Sequence, residues 1–190
     1  DAAAGGDSGV TVDLSSGTAT DGFGAEDTLS NIENIKGTDE ADQLTGSAAD
    51  NIILGEAGDD VIAGLDGAEQ IDGGTGDDSI LGGEGSDVLA GGEGADQIDG
   101  GEGADQIDGG AGADQIDGGS GDDSILGGEG DDSILGDSGD DYIVGGIGSD
   151  AIDGGSGIDE IDYSTDAAAG GDSGVTVDLS SGTATDGFGA

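Results

Sequence analysis

The chain has no cysteine, proline, histidine, methionine or tryptophan in 190 residues. Without cysteine or histidine it can form no ordinary zinc site, no thiol nucleophile and no histidine-based triad. Disulfides are excluded as well, which fits an extracellular protein braced by metal instead. Aromatics make up 2% of the chain, two Tyr and two Phe. So few large side chains exclude a conventional globular core. Lys36 is the one basic residue against 46 acids, for a net charge of -45. That sign excludes nucleic acid and anionic membrane surfaces as partners. Self-repulsion on this scale would by itself leave the chain expanded. No apolar run approaches the ~18 residues of a membrane span, so no membrane insertion is expected. With neither an initiating Met nor a signal peptide, the sequence is expected to be an internal portion of a longer chain.

What the chain does have is glycine, 47 of it, set in a fixed period. Three phrases stand side by side from Gly91 to Asp117: GGEGADQID, GGEGADQID and GGAGADQID. The same nine-residue frame extends without insertion from Gly37 to Asp162, 14 phrases in 126 residues. Its form is Gly-Gly-x-Gly-x-Asp-x-apolar-x. Position one is Gly throughout, and position eight is Leu or Ile from Leu44 to Ile161. Position six is Asp in 12 copies, with Asn51 and Glu69 as the exceptions. A short fixed period sets the architecture before any other signal.

Glycines at positions one, two and four suit a tight turn with positive φ and leave the backbone carbonyls accessible. The closing x-apolar-x has the alternation of a short strand with its middle side chain inward. Two phrases then make an 18-residue coil, and coils stack at about 4.8 Å, giving a rod segment of about 34 Å. Position-eight residues line a narrow apolar interior from both sides.

Residues 18 apart fall above one another, which sorts the position-six residues into two edges. One carries Asp42, Asp60, Asp78, Asp96, Asp114, Asp132 and Asp150. The other carries Asn51, Glu69, Asp87, Asp105, Asp123, Asp141 and Asp159. Carboxylates about 5 Å apart repel unless a cation lies between them. A hard divalent ion with six to eight oxygen ligands suits carboxylates plus carbonyls, and Ca²⁺ tolerates irregular cages better than Mg²⁺. Asn51 and Glu69, and the phrases GTDEAD and GSAADN that lack Gly at position four, make the first gap on each edge and the Glu69 gap the weakest sites. About nine to twelve ions are expected. Acids at the other positions, such as Glu84, Asp77 and Asp99, are expected to face water, with some holding weaker cations between neighbouring rods.

The phrase resembles the calcium-binding nonapeptide of the RTX (hemolysin-type) family, over about two thirds of the chain. The resemblance implies that each ion sits between two stacked turns, held by Asp side chains and by backbone carbonyls of the Gly-rich turns, such as Gly73, Gly82, Gly91, Gly100, Gly109, Gly118, Gly127 and Gly145. It also implies a secreted or surface protein exported by type I secretion.

Three segments follow. Residues 1–36 are expected to hold inter-module strands and the first irregular coils. Val10, Val12 and Leu14 alternate as in a strand, Thr18–Thr20 suggests its return, and Phe23 reads as an apolar plug. In EDTLSNIENIKG, Leu29, Ile32 and Ile35 are spaced by three, but Ile35 also falls at position eight, which favours an irregular coil over a helix; similar segments precede the repeats of long RTX adhesins. Residues 37–162 are the nonapeptide roll. Residues 163–190 begin the next module, because Asp166 to Ala190 repeat Asp1 to Ala25 without a change, 165 residues on. A tandem array of 165-residue modules is the simpler account; an engineered duplication is the other.

The predicted fold is all-β, a right-handed parallel β-roll (β-solenoid) with two nine-residue turns per coil, continuous between modules. No catalysis is expected, since a glycosidase-like carboxylate pair needs a cleft that a narrow rod lacks. Ice binding would need a flat row of Thr or Asn, which positions three, five, seven and nine do not supply. Lys36 reads as a solvated charge, and Tyr142 and Tyr163 as covers of an apolar seam. Two functional readings remain open: the calcium-stiffened shaft of an adhesin, filament or surface layer, with copies joined end to end and side by side, or the calcium-dependent secretion and folding domain of an RTX toxin or enzyme.

Overall fold

The computed structural model describes residues 8–164 and, beyond them, the backbone of two strands, Thr176–Asp178 and Thr183–Thr185. Every regular element among these residues is a strand. The N-terminal strands are β1 (Thr11–Asp13), β2 (Thr18–Thr20), β3 (Glu26–Thr28) and β4 (Asn34–Lys36). The repeats then alternate between two faces. One face is β5 (Gln43–Thr45), β7 (Val61–Asp66), β9 (Ser79–Glu84), β11 (Gln97–Glu102), β13 (Gln115–Asp117), β15 (Ser133–Leu135) and β17 (Ala151–Asp153). The other is β4 followed by β6 (Ile52–Ala57), β8 (Gln70–Thr75), β10 (Val88–Glu93), β12 (Gln106–Ala111), β14 (Ser124–Glu129), β16 (Tyr142–Ile147) and β18 (Glu160–Ile161). Pairing along both is parallel and 18 residues apart, as in Ile98↔Ile116 and Ile107↔Ile125. Two nine-residue phrases therefore close one coil, and about seven coils stack into a parallel β-roll.

The strands are longer than the three residues expected. Most run six residues, because pairing continues from the apolar position through the glycines, as in Gly92↔Gly110 and Glu93↔Ala111. Within each, side chains alternate across the sheet. In β8, Ile71 and Gly73 face inward, while Gln70 and Asp72 face out. The interior is a single column of position-eight residues. From Leu44 to Ile143 they are 0–3% exposed, and Ile35 caps the column at 6%. At the far end Ile152 and Ile161 are only partly covered.

The glycines divide by physical cause, which corrects the reading that all three need positive φ. Positions two and four do, as at Gly92 (φ 114) and Gly94 (φ 139). Position one does not; its glycine is required by space. A Cβ on Gly91 would lie within 3.0 Å of both Asp96 Oδ2 and the Gly109 carbonyl. Position two tolerates a side chain at the cost of strain: Glu56, Leu65 and Asp137 stand there with φ of 80, 87 and 67 respectively.

The N-terminal segment forms a meander, with β1, β2 and β3 successively antiparallel. Strand β1 lies parallel on β5, Val12 opposite Leu44. The expected strand and its return are thus present. EDTLSNIENIKG is only partly a coil: Ile35 pairs with Ile53 in the roll, whereas Glu26–Thr28 pairs with β2 outside the column. Phe23 is 70% exposed and plugs nothing. Tyr142 stands at position seven, on the outer face, with its hydroxyl on Asp162 Oδ2, so it covers no interior seam. Lys36 pairs with Glu56 at the surface, where such a pair contributes at most about 1 kcal/mol. The second copy of the terminal sequence forms the same hairpin, β19 (Thr176–Asp178) with β20 (Thr183–Thr185), Val177↔Ala184 matching Val12↔Ala19. The rest of residues 165–190 lies outside the described residues.

Candidate metal centre

The turn between two strands brings position six inward beside position one. From Asp42 to Asp141 the position-six side chains are 1–2% exposed, Asn51 and Glu69 included; Asp150 is half-buried and Asp159 exposed at the open end. Each Asp reaches one coil back. The amide of Asp60 donates to Asp78 Oδ1 at 2.8 Å, that of Asp78 to Asp96 Oδ1 at 2.8 Å, and that of Asp96 to Asp114 Oδ1 at 2.9 Å. Asp114 and Asp132 continue this edge to Asp150 Oδ1 at 3.0 Å. The other edge runs likewise: Glu69 to Asp87 at 2.9 Å, Asp87 to Asp105 at 2.8 Å, Asp105 to Asp123 at 2.9 Å, Asp123 to Asp141 at 2.9 Å and Asp141 to Asp159 at 3.2 Å.

The second oxygen is different. Oδ2 of Asp60, Asp78, Asp87, Asp96, Asp105, Asp114, Asp123, Asp132 and Asp141 is buried and receives no hydrogen bond, and neither oxygen of Glu69 receives one. A carboxylate left in this state costs several kcal/mol unless it is neutralised. Burial accordingly raises the pKa, to about 7 for Asp78 and about 6 for Asp60, Asp123 and Asp132. Burial likewise pushes up Asp96, Asp105, Asp114 and Asp141. For Glu69, burial and then the Asp87 carboxylate raise it.

Carbonyl oxygens accompany the orphaned carboxylate oxygens. At the place where Gly55 would carry a Cβ, Asp60 Oδ2 meets the Gly73 carbonyl, both nearer than 3.0 Å. The same happens between Asp78 and Gly91, Asp87 and Gly100, Asp96 and Gly109, Asp105 and Gly118, Asp114 and Gly127, and Asp132 and Gly145. The Gly82 carbonyl stands at Gly64, where Glu69 brings its Cγ rather than an oxygen. The Gly154 carbonyl belongs with these, since it meets Asp141 Oδ2 at the place where Gly136 would carry a Cβ. Among the described residues no three acidic side chains gather at one point, so an ion here must draw on carbonyls as well as carboxylates. Hard oxygen donors of both kinds, with buried negative charge and no other cation at hand, fit Ca²⁺.

This nine-residue pattern matches that of the RTX calcium-binding nonapeptide repeat four times, at residues 36–68, 63–98, 91–125 and 126–161. The chain belongs to that family. RTX repeats bind calcium and occur in secreted proteins. No match to the chain is found among curated proteins.

At its N-terminal end the RTX ladder is closed on both edges without orphaned oxygens. Asp42 Oδ1 accepts from the Val10 amide at 2.6 Å and from Thr38 Oγ1 at 3.0 Å, and its Oδ2 accepts from the Thr38 amide at 2.6 Å. Asn51 Oδ1 accepts from the Ser47 amide at 2.6 Å, and its Nδ2 donates to the Glu33 carbonyl at 2.7 Å. Thr38 and Ser47 stand at position two, where a hydroxyl and an amide take up what the buried carboxylates lower down leave unmet.

An outer ladder escaped the sequence reading. Position-five acids are exposed, as expected for Asp77, yet they reach forward along the rod. Asp59 Oδ1 accepts from the Asp77 amide at 3.0 Å, Asp77 from Ala95 at 2.9 Å and Asp131 from Ser149 at 2.9 Å. The recurrence of Asp at this position was the available signal. Glu84 and Asp99 are exposed on the outer faces.

Proposed function

We propose that the chain is a calcium-stabilised structural rod, one module of a long secreted or surface-attached protein such as an adhesin shaft, a filament or a surface layer. The observation that carries the reading is the row of ten buried position-six acids with orphaned oxygens, five on each edge. The ligand set proposed is Asp60, Asp78, Asp87, Asp96, Asp105, Asp114, Asp123, Asp132 and Asp141, with Glu69 as a weaker member and Asp150 and Asp159 contributing at the open end. The carbonyls of the facing position-one glycines complete it. About ten ions fit this set, within the range that the repeat spacing gives. Bound cations supply positive charge where these carboxylates stack.

The role is mechanical. A thin aliphatic column is little core for a chain of this length, and its acids repel. Metal binding then becomes folding free energy, as in other small metal-dependent domains. The chain stays unfolded and passable through a type I export channel where calcium is scarce, and stiffens outside. The 25 residues shared by the two ends favour a tandem array over a single secretion domain attached to an enzyme or toxin.

Circular dichroism tests this. In chelator at neutral pH the spectrum is expected to be that of a disordered chain, with a cooperative rise of β signal as calcium is added. A β spectrum unchanged by exhaustive chelation overturns the reading.

A further inference from the structure

The first strand of the chain sits in the roll as though it were a coil. The column of repeats would place residue 26 opposite Leu44, yet Val12 is there. The imitation extends bond by bond. The Val10 amide donates to Asp42 Oδ1 at 2.6 Å, as the Asp42 amide does to Asp60 Oδ1 at 2.7 Å. The Gln43 amide donates to the Val10 carbonyl at 2.9 Å, as the Val61 amide does to the Asp42 carbonyl at 3.0 Å. The Leu14 amide donates to the Thr45 carbonyl at 3.0 Å, as the Gly46 amide does to that of Ala63 at 2.8 Å. Val10, Val12 and Leu14 pack on the end of the apolar column. Gly9 passes so close to the Ala41 carbonyl that a Cβ would collide with it.

Residues 10–14 thus fill a slot built by Ala41, Asp42, Gln43, Leu44 and Thr45, and they do so from outside the repeat frame. Their link to the roll is the meander of β2 and β3, not a turn of the solenoid. The chain carries the occupying sequence twice, since Gly174–Leu179 is identical to Gly9–Leu14. Its second hairpin has the register of the first and forms a two-stranded sheet of its own.

We propose that the slot on β5 is a strand-acceptor site, and that Val175–Leu179 of a second copy of the chain fits it as Val10–Leu14 does, joining copies head to tail by strand exchange. Backbone hydrogen bonds along an open sheet edge supply the affinity, and the alternating Val, Val and Leu supply the register. A donor on the same chain competes at the millimolar effective concentration of a short tether, so exchange is held back until the first copy is displaced or weakened. The acceptor needs only a folded roll, whatever the rod's larger role.

The test uses the full chain, in the condition that gives the wild type its β spectrum, so that a failure of calcium dependence leaves the readout intact. Val12→Glu empties the slot while keeping the second donor. Its mass by light scattering is expected to rise with concentration into dimers and longer chains, with the wild type monomeric at micromolar concentration. Val12→Glu/Val177→Glu is expected to return to a monomer. A labelled peptide of residues 172–187 should bind this double variant, and the same peptide carrying Val177→Glu should bind at least tenfold more weakly. Concentration-independent monomers of Val12→Glu, or equal oligomers with and without Val177→Glu, overturn the proposal. So does a Val12→Glu chain without β signal that the peptide fails to restore.

Discussion

The amide of Glu69 donates to Asp87 Oδ1 at 2.9 Å, yet neither oxygen of Glu69 receives a bond in return. Its extra methylene places Cγ beside Gly64, where its neighbours on the ladder place a carboxylate oxygen, and carries Oε1 on toward Gly67. Glu69→Asp should restore the ladder bond from the Asn51 amide and bring an oxygen to the Gly82 carbonyl. A charge-assisted bond of this kind is worth about 1.5–3 kcal/mol. In calcium the variant is expected to melt higher than the wild type. A melting temperature that stays the same or falls would mean that Glu69 already serves its gap as well as Asp could.

Ion counting separates the interior of the ladder from its end. Asp105 has an orphaned oxygen and also receives the Asp87 amide, whereas Asp42 has protein donors on both oxygens. Asp105→Ala is expected to lower the calcium stoichiometry by one to two ions and to fray its own edge. Asp96 and Asp114, on the opposite edge, should be little affected. Asp42→Ala is expected to lower stability by about 1–3 kcal/mol while leaving the ion count intact. Calorimetric titration of both variants decides it, and equal losses of ions would remove the distinction drawn between cap and ladder.

Much of this was legible in the sequence because a strict period converts directly into position. Ile35 could be placed in the column by counting nine back from Leu44, and the two edges of acids by counting eighteen. Counting says nothing about orientation within a turn. That position-one glycines answer to crowding alone, at an ordinary φ, and position-two glycines to positive φ with a carbonyl close by, is a fact of the folded coil. Nor does the period reach outside itself: Val12 supplants the strand that the frame would place opposite Leu44, and Phe23, read as a plug, points to water because the meander has no interior there.

The division among glycines has its own test. Leu65 holds a conformation at φ 87 that costs an L residue about 1–2 kcal/mol. Leu65→Gly is expected to stabilise the calcium-bound roll by about 1 kcal/mol, the strain relieved exceeding the entropy added to the unfolded chain. Gly91→Ala, one position earlier in its phrase, drives a Cβ into Asp96 Oδ2 and the Gly109 carbonyl. It is expected to destabilise by several times that amount and to cost at least one ion. Thermal melts of the two variants in calcium, with opposite signs, would bear out the assignment; a mild Gly91→Ala would refute it.

Protons and calcium should act as alternatives at the ladder. The Asp78 carboxyl is pushed up to about 7 and those of Asp60, Asp123 and Asp132 to about 6, from an ordinary value of 3.8, chiefly by burial. Between about pH 4 and 7 the metal-free folded roll therefore binds more protons than the unfolded chain. Its stability is lost as pH rises through 6 to 7 and is fully present below about pH 4. With calcium the sign reverses, because the ion requires the ionised form and acid displaces it. In chelator, lowering the pH from 7.5 is thus expected to bring back β structure with a midpoint near 6. In calcium the same change should release ions, at a pH that falls as the calcium concentration is raised. Acid also discharges the exposed carboxylates and relieves repulsion across the whole rod, but that happens near their ordinary values, around pH 4. The midpoint tells the two apart. Refolding in chelator centred near pH 4 would assign the effect to overall charge, and the buried ladder would then not be what forbids the rod to fold without metal.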